Sequence, residues 1–315
     1  MARRGWLGMG ILCMMLAACA SPAPVAPTPV EPTRPKSRPD LPPVGPPSAM
    51  SLALVDYYKG IQSNLLSRGL LRTDGGGADT PFDDRILTET FLRIAMYDEY
   101  ARGPEGFVAA ETPTPLRRWT QPVRVGLLFG PSVTPQAQAI ERARIGSYLG
   151  RLARVTGHPI GLVDGHANFN IFIVNEDERR AMGSAIAQAA PSLTPTEVAA
   201  VQGLPKETYC LVYAGLKPDS TYSGALALIR QEHPTLLRMA CLHEEIAQGL
   251  GLQNDHPKAR PSVFNDDEEF ALLTRMDEMM LRILYDPRLR PGMTEAEARP
   301  IVQTIAAELL APAAS

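Results

Sequence analysis

From Glu244 to Asp255 the chain reads Glu-Glu-Ile-Ala-Gln-Gly-Leu-Gly-Leu-Gln-Asn-Asp, and the spacing of its polar residues restricts local geometry more than any other stretch. Residues four apart share one face of an α-helix, so Glu244 and Gln248 are expected to point at a common spot, with Glu245 beside them. Gly251 can adopt the left-handed conformation that commonly ends a helix. A chain turning there would bring Asn254, and next to it Asp255, back toward the same spot. The expectation is a binding cleft lined by Glu244, Gln248, Asn254 and Asp255, with Glu245 as the catalytic base if the cleft carries chemistry.

Laid on H-E-x-x-H-x-x-G-x-x-H, the pattern of metzincin zinc proteases, this stretch resembles an active-site helix that has lost all three imidazole ligands. Glu244, Gln248 and Asn254 fall at the ligand positions, Glu245 at the general base and Gly251 at the turn. Zinc prefers imidazole nitrogen and thiolate, for which two neutral amides and one carboxylate are a poor replacement. A frame starting at His243 matches His-Glu but puts Ala247 at the second ligand position. Further on, Pro261-Ser262-Val263-Phe264-Asn265-Asp266 resembles the S-[IV]-M-N turn that follows the zinc helix, with Phe264 in place of the methionine. Leu273-Thr274-Arg275-Met276-Asp277-Glu278 through Ile283-Leu284-Tyr285 resembles the closing helix of matrix-metalloprotease-type domains. The resemblance implies a kept scaffold and lost metal chemistry, so no metal ligand and no cofactor is expected.

The stretch from Cys241 to Met293 also resembles a family of bacterial proteins called domain of unknown function 2927. Upstream, Leu116-Arg117-Arg118-Trp119 with Pro122-Val123-Arg124-Val125, then Tyr148-Leu149 to Gly157-His158-Pro159-Ile160, and Ala167-Asn168-Phe169, are similar to the same family. The resemblance runs from about residue 80 to 295. It implies an envelope protein of zincin-like ancestry and supplies no activity or functional residue.

At the N-terminus, Arg3 and Arg4 precede an apolar run from Leu7 to Leu16, shorter than the roughly 20 residues a membrane span needs. This is the form of a secretory signal peptide. Leu16-Ala17-Ala18-Cys19 resembles a lipobox, which makes Cys19 the expected lipidation site and the lipid bilayer the expected partner. Ala20, where aspartate would favour the inner membrane, directs the protein to the outer membrane of the cell envelope, with its domain in the periplasm. Residues 20 to 48 alternate proline with small polar residues and cannot bury a core. As polyproline II they form a tether of up to roughly 90 Å at about 3.1 Å per residue. The boundaries that follow are 1–18 for the signal peptide, 19–48 for lipidated cysteine and tether, 49–105 for a helical N-terminal region, and 106–315 for the zincin-like domain.

The formal net charge is −3, and no lysine-arginine cluster with interleaved aromatics occurs, which argues against nucleic acid as a partner. An envelope protein or peptide is the expected partner instead. Cys13 leaves with the signal peptide and Cys19 takes lipid. Cys210 and Cys241 remain, a disulfide candidate in an oxidising periplasm, with two buried free thiols as the alternative.

Hydrophobic periodicity predicts helices at 50–71 and 82–101, interrupted by Gly75-Gly76-Gly77. Val123, Val125, Leu127 and Phe129 alternate as a strand. Ala137 to Val155, with Gly157 behind, predicts a long helix, and Phe169 to Val174 a buried strand. Helical structure over 176–204 with a start at Thr194-Pro195-Thr196-Glu197, strands at 209–213 and 223–230, a helix from near Pro234 and helices near 267–285 and 294–310 complete the pattern. The fold class expected is α+β: a small mixed sheet with a long helix and the active-site-type helix, then a helical C-terminal part. Strand, helix, strand, two strands and signature helix is also the order of a zincin upper subdomain. The five histidines, among them His243 and His256 flanking the signature, show no pair at i and i+4. The acidic run Asp266 to Glu269 is expected to favour the start of the following helix.

The function expected from these residues is a lipid-anchored envelope protein whose zincin-like domain serves as a binding or scaffolding module. The alternative is a peptidase-like hydrolase with an oxygen-ligand metal site, where Glu245 would activate a metal-bound water.

Overall fold

A computed structural model describes residues 39, 41, 45–103, 106–265 and 267–311, and for residues 99–110 the backbone alone. The expected signal peptide, Cys19, nearly all of the tether and Asp266 lie outside the described residues. No helix among the described residues is long and apolar enough to cross a membrane.

Helices α1 (Ala49–Ser67) and α2 (Asp84–Ala95) begin on Ser48 and Asp83, whose side chains accept from backbone N–H groups three residues on, satisfying donors a helix start leaves open. Strands β1 (Tyr97–Gly103) and β2 (Gly106–Pro113) form an antiparallel hairpin. After β3 (Val123–Phe129), α3 (Pro135–Thr156) starts on the Thr134 cap with proline in its first turn and stops at a left-handed Gly157. There follow β4 (Ile160–Leu162), β5 (Phe169–Val174), the short helices α4 (Glu176–Ala181), α5 (Gly183–Ala189) and α6 (Pro195–Gln202), and then β6 (Cys210–Leu216) and β7 (Tyr222–Arg230). Helices α7 (Thr235–Gln248), α8 (Arg275–Tyr285) and α9 (Glu295–Leu310) close the sequence of elements, nine helices among the described residues.

The main sheet has the order β4-β3-β5-β7-β6. Its first four strands run parallel and β6 runs antiparallel to β7 at the edge, a mixed α/β arrangement with a mostly parallel sheet. Every residue of β5 is buried, as expected of a parallel strand covered on both faces. Period two splits these residues: Phe169, Ile171 and Ile173 join the main core with residues of α2, α3, α7, α8 and α9. Phe172 and Val174 face a second core with Met182, Ile186 and Val201 from the short helices.

Three expectations change. The helix predicted to reach 101 stops at Ala95, and Tyr97 to Gly103 pairs instead with Gly106 to Pro113. Tyrosines at 97 and 100 suit a pleated surface better than a helix, and the 105/106 boundary falls between these two paired strands. That boundary separates no core, because Leu87, Phe91 and Ile94 of α2 pack in the same cluster as the sheet. The acidic run does not start a helix either: α8 begins at Arg275 on the Thr274 capping box, and Glu269 pairs with Arg72 and Arg260. Strand β4, too short to show a period, is additional to the expected set.

Candidate functional site

Helix α7 carries the polar signature and is buried along most of its length. Its end is set by contacts that require particular residues. A Cβ on Gly249 would lie 2.5 Å from Cζ of Phe169 on β5, so glycine alone allows the helix to approach the sheet this closely. Gly251 has φ 128°, and a Cβ there would meet the Arg117 carbonyl oxygen at 2.6 Å. The carbonyls a helix end leaves open are taken up by side chains from elsewhere: the Trp119 indole N–H donates to the Gly249 oxygen at 2.8 Å and the Tyr285 hydroxyl to the Leu250 oxygen at 3.0 Å.

Beside this end lies a cleft of about 1230 Å³, bounded by edge strand β6 on one side and by Glu244, Glu245, Gln248 and Asp255 on the other. Glu245 and Gln248 are buried and Glu244 is half-buried. The Gln248 side-chain amide donates to an Asp255 carboxylate oxygen at 3.2 Å. Asn254 is not part of this wall. It is buried, its backbone N–H donates to the Ile94 oxygen and its side-chain amide to the Arg93 oxygen, each at 3.1 Å. Both acceptors belong to the last turn of α2, whose carbonyls lack helical partners. Asn254 therefore closes the end of another helix, while its neighbour Asp255 faces the cleft.

The position next to it, Gln253, is a cleft residue that the spacing frame passes over. Its side-chain oxygen accepts from Arg117 at 3.2 Å and from the Tyr222 hydroxyl at 3.3 Å, and its amide donates to Thr114. Arg117 also grips both carboxylate oxygens of Asp98 on β1, at 2.6 and 3.2 Å. The hairpin is thus tied to the cleft by a charged pair. Arg117 lies in the Leu-Arg-Arg-Trp block of the sequence, which marks the segment without revealing its partners.

Cys210, the first residue of β6, is joined to Cys241 of α7 by a disulfide with Cα atoms 5.8 Å apart. This bond fixes one end of the edge strand to the helix one turn before Glu244 and Glu245. His243, next in the helix to Glu244, stacks on Tyr148 with ring centroids 3.9 Å apart, and its Nδ1 accepts from the Leu273 N–H at 3.0 Å. Burial pushes its pKa down to about 3, so the ring is neutral and one nitrogen is already engaged. Asp277 of α8 is fully buried and accepts from the Ser262 hydroxyl, the Val263 N–H and the Thr274 N–H and hydroxyl. Burial raises its pKa against the pull of these donors. The bonds hold the turn carrying Phe264, which packs in the main core with Ile246 and Ala247 of α7.

A zinc ion held in the metzincin manner does not fit these residues. The amide of Gln248 donates to Asp255 and the amide of Asn254 to α2, and neutral amides are poor zinc ligands in any case. Among the described residues no three His, Cys, Asp or Glu side chains are grouped to hold a metal ion.

A family model described as Protein of unknown function (DUF2927) matches residues 84–304, a span that runs from the first residue of α2 into α9 and contains the main sheet and α7. No curated protein and no solved structure gives a match.

Proposed function

The chain belongs to the DUF2927 family of proteins of unknown function, and from that premise we propose that it is a lipid-anchored envelope binding module whose cleft takes an extended polypeptide segment. The observation that carries this is the position of β6. It has β7 on one side and no strand on the other among the described residues, and its residues line the cleft. An edge strand offers unpaired N–H and C=O groups, and adding an extended segment to such an edge is a common mode of peptide recognition. The opposite wall supplies the polar side chains of α7 and Asp255.

The order β3, α3, β5, β6, β7 and α7, with β4 and the short helices α4 to α6 as additions to it, matches the order of a zincin upper subdomain and supports descent from such a scaffold. With Asn254 turned to α2 and the Gln248 amide bonded to Asp255, the scaffold recognises a chain and does not cut it. Envelope placement and lipidation at Cys19 are supported by the apolar run ending in Leu16-Ala17-Ala18-Cys19 and by the disulfide, which suits an oxidising compartment.

Hydrogen exchange on the full chain in mild detergent, with and without a pool of unstructured ten-residue peptides, tests this proposal. Peptide addition is expected to slow exchange at residues 210–216. Slowing confined to other elements, or no peptide binding at all, would refute it.

A further inference from the structure

The charge of the cleft says more about its occupant than its shape does. Asp98, Glu207, Glu244, Glu245, Asp255 and Glu268 line it, and among the described residues the only cation lining it is Arg117, which is gripped by Asp98. Six carboxylates less one guanidinium leave a formal excess of five negative charges in the lining of the cleft, more than the net charge of −3 carried by the whole chain. The acidic character is therefore a local property of the cleft. Glu268 sharpens it: burial raises its carboxyl pKa, and no hydrogen bond or ion pair to that carboxyl occurs among the described residues. A half-buried carboxylate is less well hydrated than a free one, and a ligand cation entering the cleft would stabilise its charge.

We propose that the segment taken up along β6 is cationic, an extended polypeptide whose lysine or arginine side chains face these carboxylates. This rests on the cleft binding an extended chain and adds the chemistry of that chain. Alternate side chains of an extended segment point the same way about 7 Å apart, so basic residues at i and i+2 meet the carboxylates together while the residues between point to the opposite face of the sheet. Complementary charge of this kind selects against neutral and acidic segments.

The experiment uses three ten-residue peptides of equal length, carrying Lys, Gln or Glu at alternate positions, titrated by fluorescence anisotropy against the full chain in mild detergent. The Lys peptide is expected to bind at least tenfold tighter than the Gln peptide, with affinity falling as salt rises, and the Glu peptide is expected not to bind. Exposed Glu207 and half-buried Glu244 are changed to Gln separately, with circular dichroism to confirm folding. Each change is expected to weaken the Lys peptide several-fold. Equal binding of the Lys and Gln peptides, or Lys-peptide affinity unchanged in both variants, overturns the charge assignment and leaves chain binding at β6 standing. Failure of all three peptides overturns both.

Discussion

The side-chain amide of Gln248 meets the carboxylate of Asp255 at 3.2 Å, while Asn254, one residue earlier, faces away and caps α2. Two adjacent polar residues thus serve different parts of the molecule. Removing the Asn254 amide takes its donor from the part-buried Arg93 carbonyl, a loss of about 1 kcal/mol. Asn254→Ala should accordingly lower stability in urea by that amount and leave peptide affinity nearly intact, whereas Asp255→Ala should do the reverse. If Asn254→Ala weakened binding without loss of stability, the assignment of Asn254 to α2 would be wrong.

His243 makes the fold sensitive to acid. Its ordinary pKa is 6.5 and burial holds it at about 3 in the folded protein. Above pH 6.5 both states keep the ring neutral and nothing is gained or lost. Between 6.5 and about 3 the unfolded chain takes up a proton that the folded chain refuses, so stability falls as pH drops, by up to about 1.4 kcal/mol per pH unit. His243→Asn can keep an acceptor for the Leu273 N–H and does not titrate. The difference in Tm between wild type and this variant should shift in favour of the variant from pH 7 to pH 4. A constant difference over that range would show that His243 is protonated normally.

The disulfide between Cys210 and Cys241 closes a separation of 31 residues, which on the chain-entropy model stabilises by about 3 to 4 kcal/mol. Cys210→Ser with Cys241→Ser should lose stability of that order in urea. Exchange should rise first at residues 210–216, because the bond fixes the start of β6 to α7. Uniform acceleration across the sheet would instead mean that the bond stabilises the domain as a whole and not the cleft edge.

Legibility in the sequence followed the range of the interactions. Thr194 with Glu197 reads as a helix start from neighbours alone, and the capping box is present. The run of β5, apolar except for Asn170, declares a strand buried on both faces. Glu244, Glu245 and Gln248 come together because helix periodicity is a local rule. Asn254 departs because its direction depends on the open carbonyls of α2, far away in sequence, which no spacing within 244–255 encodes. The same holds for Arg117, whose partners Asp98 and Gln253 come from separate segments. The hairpin was hidden because Tyr97 to Ala101 continues a helical apolar pattern until its pairing partner is known.

Gly249 and Gly251 are expected to be intolerant of a single methyl group for different reasons. At 249 the added Cβ would lie 2.5 Å from a ring carbon of Phe169, and at 251 it would meet a backbone oxygen at 2.6 Å with φ at 128°. Phe169 is fully buried and has little room to yield. Each Gly→Ala change should cost about 2 kcal/mol or more, read as the shift in the urea midpoint. Full tolerance at Gly249 would mean that α7 can move off the sheet, and the cleft could then not be a fixed feature.

Lipidation is expected at Cys19, because Leu16-Ala17-Ala18 places small residues where a lipobox is cleaved and the apolar run ends there. One acyl chain alone binds a bilayer weakly and reversibly, whereas two or more anchor it stably. A lipoprotein cysteine carrying several acyl chains would therefore keep the protein in the membrane fraction through high-salt washing. Growth with labelled palmitate should mark the wild type, and Cys19→Ser should abolish both the label and the membrane retention. Label that persists in Cys19→Ser would place the acyl group elsewhere. Absence of label in the wild type would remove the anchor and leave a chain that is at most secreted.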